Sequence, residues 1–203
     1  MRKTAIAILL AIALPTICIA ETYTYANKDG SKGSMTVVVD GATGCVTITT
    51  QTDSISCDSG WNSILVHHAD NTAGSVADFS RTGNTIKAKG TLKGKPFDRD
   101  ISIDSNPWFS DFATQLKSLM ASGKNKQEFW IINPNEYKAV KMVATLKGQE
   151  DFTTPAGTFK ANHYIVGIPG VPTAIWSVSV WLRTSDGVNL SYNKESLLAS
   201  VSK

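Results

Sequence analysis

The chain has 203 residues, with 20 Lys+Arg against 17 Asp+Glu, 42% hydrophobic and 18% charged residues. That composition excludes a disordered or collagen-like chain. The near-neutral balance lacks the clustered basic face that nucleic-acid binding needs, so no nucleic-acid partner is expected.

The first twenty residues read as an export signal. Arg2 and Lys3 form a positive n-region, residues 4–14 supply the apolar run, and Pro15 breaks it. Cys18-Ile19-Ala20 offers small residues at the positions a signal peptidase reads, which places cleavage after Ala20. The stretch is slightly short for a bilayer span, which takes about 20 apolar residues. A lipidation box is disfavoured because the β-branched Ile17 stands directly before Cys18, where a small residue is wanted. The expected organisation is therefore a signal peptide over 1–20 and one β-rich domain over 21–203. The mature part is expected to have no transmembrane segment and to reside in the periplasm. Its charges balance at 18 basic to 17 acidic, and about 180 residues can bury their own core.

Removal of Cys18 leaves Cys45 and Cys57. An even pair in an oxidising compartment reads as a disulfide. Closing that short loop would stabilise the fold by roughly 3 kcal/mol in the chain-entropy model.

Short β-type runs then follow one another. Residues 22–26 alternate Thr and Tyr with Ala26, and Lys28-Asp29-Gly30 closes the run. Residues 35–39 end at Asp40-Gly41, a hairpin signal. Further strands are expected over 45–50, 61–67, 76–80, 85–92 and 97–103, with turns at Thr82-Gly83-Asn84 and Lys93-Gly94-Lys95-Pro96. At Asn106 the pattern changes. Asn106 as cap, Pro107 as first residue, and Trp108, Phe112, Leu116 and Leu119 at helical spacing predict one amphipathic helix of about four turns ending at Gly123. Strands resume over 128–132, 137–146, 159–168, 174–183 and 188–192, and residues 194–202 read as a short final helix. About ten strands with one helix predict a mainly β fold. The expected form is a large curved antiparallel sheet, a half-barrel or open barrel, with the helix packed on it. Strands and helices do not alternate, which disfavours a parallel α/β sheet.

Catalytic motifs are few. Gly90-Thr91-Leu92-Lys93-Gly94-Lys95-Pro96 is one residue short of a phosphate-binding loop, and Pro96 supplies no hydroxyl, so it reads as a hairpin turn. There is no nucleophile elbow and no dinucleotide fingerprint. His67, His68 and Asp70 cluster, but adjacent strand residues point to opposite faces and cannot easily share an ion. His163 stands alone in an alternating strand. Asp98 and Asp100 share a face, flanked by Lys95 and Arg99, as on an ordinary charged surface. No metal, cofactor or catalytic residue is assigned, and the chain is expected to be non-catalytic. Trp108, Phe112, Trp130, Trp176 and Trp181 are the candidate ligand-lining residues, although aromatics also fill β-cores.

From Gln127 onward three segments stand at familiar distances: Gln127-Glu128-Phe129-Trp130-Ile131-Ile132, Thr154-Pro155-Ala156-Gly157-Thr158-Phe159, and Trp181-Leu182-Arg183-Thr184-Ser185-Asp186-Gly187. They resemble a group of exported bacterial proteins of unknown function built on a curved antiparallel half-barrel, similar in architecture to the periplasmic lipoprotein carriers. The resemblance implies an apolar groove on the sheet and carries no catalytic residue. The expected function is binding of an apolar or lipid-like ligand, or of an envelope partner, in the concave face. A structural envelope component acting through a sheet edge, and a hydrolase built on His67, His68, Asp70, Asp98 and Asp100, are the alternatives.

Overall fold

A computed structural model describes residues 18–133 and 135–202; the n-region and apolar run of the expected signal lie outside them. Eight strands come first: β1 (Cys18–Asn27), β2 (Lys32–Asp40), β3 (Val46–Thr49), β4 (Asp53–Cys57), β5 (Ser63–Asp70), β6 (Ser75–Thr82), β7 (Thr85–Leu92) and β8 (Lys95–Ser102). Two short helical pieces follow, α1 (Phe112–Gln115) and α2 (Lys117–Ala121). The chain ends with β9 (Lys126–Asn133), β10 (Lys138–Thr154), β11 (Gly157–Gly167), β12 (Val178–Arg183), β13 (Asn189–Tyr192) and β14 (Ser196–Ser202).

All fourteen strands form one antiparallel sheet in the order β8-β7-β6-β5-β4-β3-β2-β1-β14-β13-β12-β11-β10-β9. Only the β1–β14 contact joins strands distant in sequence, so the sheet is two meanders sharing one seam. The sheet is curved and unclosed, as the mainly β reading expected, with more strands than the ten or so read from the sequence. The strands not expected are β4 and β14. Lys93 and Gly94 both have positive φ, 52° and 74°, the two-residue geometry that joins twisted hairpin strands. The near-match to a phosphate loop is that hairpin. Gly90 faces Ala77 across the β6–β7 ladder. A Cβ there would stand 2.1 Å from the Val76 carbonyl oxygen, so the strands meet only because the position is glycine.

Alternation places Tyr23, Met35, Val37, Ile48, Ile55, Val66, Phe79 and Ala88 in one buried cluster running across β1 to β7. The other half is buried on two sides. On β9 and β10, Phe129, Met142 and Ala144 pack with Leu116 and Leu119 of the helical segment. Trp130, Ile132 and Ala139, on the opposite face by register, pack with the first cluster. Each fully buried large apolar side chain contributes roughly 1.5–3 kcal/mol. Side chains tie the two free ends of the sheet together. Arg99 of β8 donates to the carbonyls of Glu136 and Tyr137, both at 2.6 Å, in the β9–β10 turn. Asp104, just after β8, accepts from Lys141 Nζ and, at 2.7 Å, from Trp130 Nε1.

Three expectations are corrected. The segment from 107 to 123 is not one long helix. Trp108 forms a parallel bridge with Trp130, Trp130 N donates to Pro107 O, and Phe109 N donates to Trp130 O, so its first turn is extended along β9. Sheet hydrogen bonds outcompete helical spacing here. Residues 196–202 form β14, not a helix, because β1 and β13 offer it two ladders. Cys45 and Cys57 are not bridged. Val46, not Cys45, stands opposite Cys57, and a one-residue offset turns Cys45 to the other face. Cys57 is buried with Val46 and Ile48, and burial pushes its thiol up to about 12. Residues 18–20, which cleavage after Ala20 would remove, pair with residues 38–40 of β2.

Candidate functional site

The helical segment is anchored by one side chain. Gln115 is fully buried; its Nε2 donates to Trp61 O at 2.6 Å and to Ser63 Oγ at 3.0 Å, and its Oε1 accepts from Asp111 N at 2.9 Å. Ser63 N in turn donates to Trp108 O at 2.8 Å. This network holds the extended 107–109 stretch against the start of β5. Beside it, Leu116 and Leu119 pack on Phe129, Met142 and Val180, so side chains fill this part of the sheet's face.

A cavity of about 370 Å³ opens between the first meander and the β9–β10 turn. Its walls are Asp53, Val66, His68, Asp70, Ser75 and Phe79 from the first meander, Lys93 from the β7–β8 turn, Trp108 and Ser110 from the crossing segment, and Ile132 and Tyr137 from the β9–β10 hairpin. Alternation puts Val66 and His68 on the inner face of β5, while His67 points outward to Asp78 at 2.8 Å. His68 Nδ1 lies 2.9 Å from Asp53 Oδ1, whose other oxygen accepts from Thr52 Oγ1 at 2.6 Å. The histidine is thereby oriented, and its Nε2 has no hydrogen-bond partner among the described residues.

Tyr137 sits deepest. It is 1% exposed, with its ring 5.2 Å from Phe79, 5.0 Å from Phe97 and 6.2 Å from His68. Its φ of 50° is rare for a bulky residue. The conformation is held by the bond from its N–H to Asn133 O at 2.7 Å and by Arg99 on its carbonyl. Burial raises the phenol's pKa, and the charges of Asp70 and Asp53 add to it. The Ser75 hydroxyl, close enough to oppose that shift, does not satisfy hydrogen-bond geometry with it. The Trp108 indole, also 1% exposed, has an equally unpartnered Nε1 among the described residues. Two residues with buried, unpartnered donors therefore line one cavity. Each orphan of this kind costs about 1–3 kcal/mol unless something bonds it.

Of the five candidate ligand-lining aromatics, only Trp108 reaches this cavity. Trp130 is bonded to Asp104, and Phe112 packs beside Phe129 and Tyr192. Trp176 lies in the loop before β12, 40% exposed, and Trp181 stacks on Phe152 away from the cavity. His68 and Asp70 both line the cavity, but among the described residues no three His, Cys, Asp or Glu side chains come together as metal ligands. Asp98 and Asp100 stand opposite Lys89 and Lys87 on an exposed face, with Asp98 3.7 Å from Lys89. Sequence reasoning missed Tyr137 and Gln115. The one local signal for Tyr137 is the turn-forming Asn133-Pro134-Asn135 before it.

No protein-family model and no curated protein sequence matches the chain. Among solved structures it is similar to the crystal structure of a β-barrel-like protein of domain of unknown function DUF1849 from Brucella abortus. The TM-score is 0.55 at 12% identity, covering 94% of this chain and 99% of that one. At that identity the likeness speaks for the fold alone: a mainly β, barrel-like architecture of unknown function. Among the described residues no helix is long and apolar enough to cross a membrane.

Proposed function

We propose that this is an exported, periplasmic binding protein that holds a compact, largely apolar molecule carrying hydrogen-bond acceptors in the cavity beneath Trp108 and Tyr137. The observation that carries the reading is the pair of buried, unpartnered donors on one cavity. Native proteins bond nearly all buried polar groups, and two exceptions on one wall call for an external partner. The volume of about 370 Å³ stands at the low end of small-molecule sites. Phe79, Val66 and Ile132 supply apolar contact, while the oriented His68 offers a third polar handle. This narrows the apolar or lipid-like ligand expected from the sequence to a compact one, since a volume of about 370 Å³ holds no long chain. Export rests on Arg2, Lys3 and the apolar run that follows. The envelope-edge reading receives less support, because β8 ends the sheet with Lys95, Pro96, Asp98 and Asp100 exposed, features that oppose strand addition.

The test is a calorimetric screen of the purified protein against cyclic ketones, lactones and short aromatic carboxylic acids. Binding with Kd below about 1 mM, worth roughly 4 kcal/mol, that weakens in Tyr137→Phe and in Trp108→Phe supports the reading. A screen in which nothing binds, or in which both variants bind as the wild type does, overturns it.

A further inference from the structure

A second polar constellation lies on β11 and β12, away from the cavity. His163 of β11 stands opposite Trp181 of β12, and its ring stacks on the indole with centroids 4.4 Å apart and planes 16° from parallel. Stacking fixes the plane of the imidazole and so fixes the partner of each nitrogen. Nε2 lies 3.1 Å from Ser179 Oγ, and Nδ1 faces Glu150 Oε1 at 3.5 Å. The same carboxylate oxygen accepts the Trp181 indole N–H at 2.5 Å, which holds Glu150 in place. A negative charge at Nδ1 favours the tautomer protonated there and leaves the Nε2 lone pair for the serine hydroxyl.

The row also stands beside an open groove. Ile165, the ladder partner of Ser179, lines a groove of about 580 Å³ together with Val143, Ile168, Val171, Ser177 and Lys147. Ser177 stands just before β12, two residues from Ser179. A hydroxyl bonded to a base, the base oriented by a carboxylate, and an apolar groove alongside are the general signature of acyl transfer.

We propose that Ser179, His163 and Glu150 form a hydrolytic site for esters of short apolar acyl groups, with the acyl chain lying in this groove. A peptide substrate is disfavoured because β12 is paired on both sides, by β11 and β13, and leaves no edge on which a peptide strand could align. In the first half-reaction Ser179 Oγ bonds to the acyl carbon while its proton passes to His163 Nε2. The bond to the alcohol oxygen then breaks, and that oxygen takes the proton from Nε2. A water molecule attacks the acyl-serine through the same base, releasing the carboxylic acid and restoring the hydroxyl. Lys147, in the groove wall, supplies positive charge for the developing oxyanion. Glu150 is a positioning residue.

The charges facing His163 are Glu150 and Lys147 from β10 and Lys194 from the turn before β14. Burial, the larger influence, and the two lysines lower its pKa, and Glu150 opposes them, so the imidazole is a neutral base at pH 7. This site departs from the non-catalytic expectation and does not depend on what the cavity binds.

The experiment uses the purified full chain with p-nitrophenyl butyrate and a fluorophosphonate probe. The expected result is hydrolysis above the solvent blank and a probe adduct on Ser179 in peptide mass spectra. Ser179→Ala and His163→Gln should each lower the rate about a hundredfold or more. Glu150→Gln should lower kcat with KM little changed and move the acid limb of the pH profile. That limb should lie below 6.5, the ordinary histidine value. A wild-type rate equal to that of Ser179→Ala overturns the proposal. Probe labelling of the folded wild type reads the nucleophile without any variant, and no adduct on Ser179 overturns it equally.

Discussion

Gln115 and Tyr137 are equally hidden polar side chains, and they play opposite parts. Gln115 bonds its amide to three residues of the chain, Trp61, Ser63 and Asp111. Tyr137 lines the cavity, and its buried hydroxyl has no hydrogen-bond partner among the described residues. The crossing segment and the β9–β10 turn are both inserted into the curve of the same sheet, yet one is a rivet and the other a wall. A satisfied buried network specifies structure, whereas on the function we propose the unsatisfied donor is a cost retained for a partner.

That contrast breaks most sharply at Gln115. Gln115→Leu keeps the volume but strands Asp111 N and Trp61 O and leaves Ser63 Oγ with Ser110 N alone, so a loss of about 3 kcal/mol is expected. Thermal unfolding should shift down by roughly 6–12 °C for a domain of this size. A shift within 2 °C of wild type, on that same scale, would show that the network is ornamental.

The reverse is expected at the cavity. Tyr137→Phe removes an orphan, so the unliganded protein should stay within about 0.5 kcal/mol of wild type or gain stability. Ligand affinity should fall roughly threefold to tenfold, the net worth of one hydrogen bond. Trp108→Phe should lose more stability through lost packing, with a similar loss in binding. If Tyr137→Phe unfolds easily, its hydroxyl is structural and the contrast with Gln115 fails.

The seam between the sheet ends gives a smaller, pH-dependent effect. Bonds from Lys141, then Trp130 and Asn106, hold the Asp104 carboxyl below the usual carboxylate range. A folded-state pKa below the unfolded one adds stability that is present above the unfolded value and is lost as pH falls through the folded one. Unfolding followed between pH 6 and pH 2 should therefore weaken below about pH 4, and more gently in Asp104→Asn. Identical acid slopes in both proteins would remove Asp104 from the seam.

Thiol labelling reads the mildest consequence. Cys45 is exposed and should react in the folded protein, whereas Cys57, buried and held protonated, should react only after denaturation. A Cys45 that stays unreactive until reductant is added would restore the disulfide.

Much of the architecture was readable because burial on one face leaves a period of two. Residues 22–26, 35–39 and 85–92 announce strands, and the same period correctly sends His67 and His68 to opposite faces. The misreadings share a cause. Trp108, Phe112, Leu116 and Leu119 keep helical spacing, but the bridge to Trp130 is a long-range contact that no local window contains. Residues 194–202 and the Cys45–Cys57 pair failed for the same reason, since a ladder partner or a one-residue register decided them. The cavity was half legible: His68, Asp70 and Trp108 were singled out, whereas Tyr137 enters only through a positive φ that sequence spacing does not display. Ser179 beside His163 required the β11–β12 register.

The central claim is that the two orphan donors exist for a ligand, and native mass spectrometry of the protein taken directly from the cells that produce it tests this most directly. The account predicts a small-molecule adduct on the wild type that is lost from the Tyr137→Phe/Trp108→Phe double variant while the protein stays folded. A wild type that flies bare, or an adduct retained in full by the double variant, would contradict it.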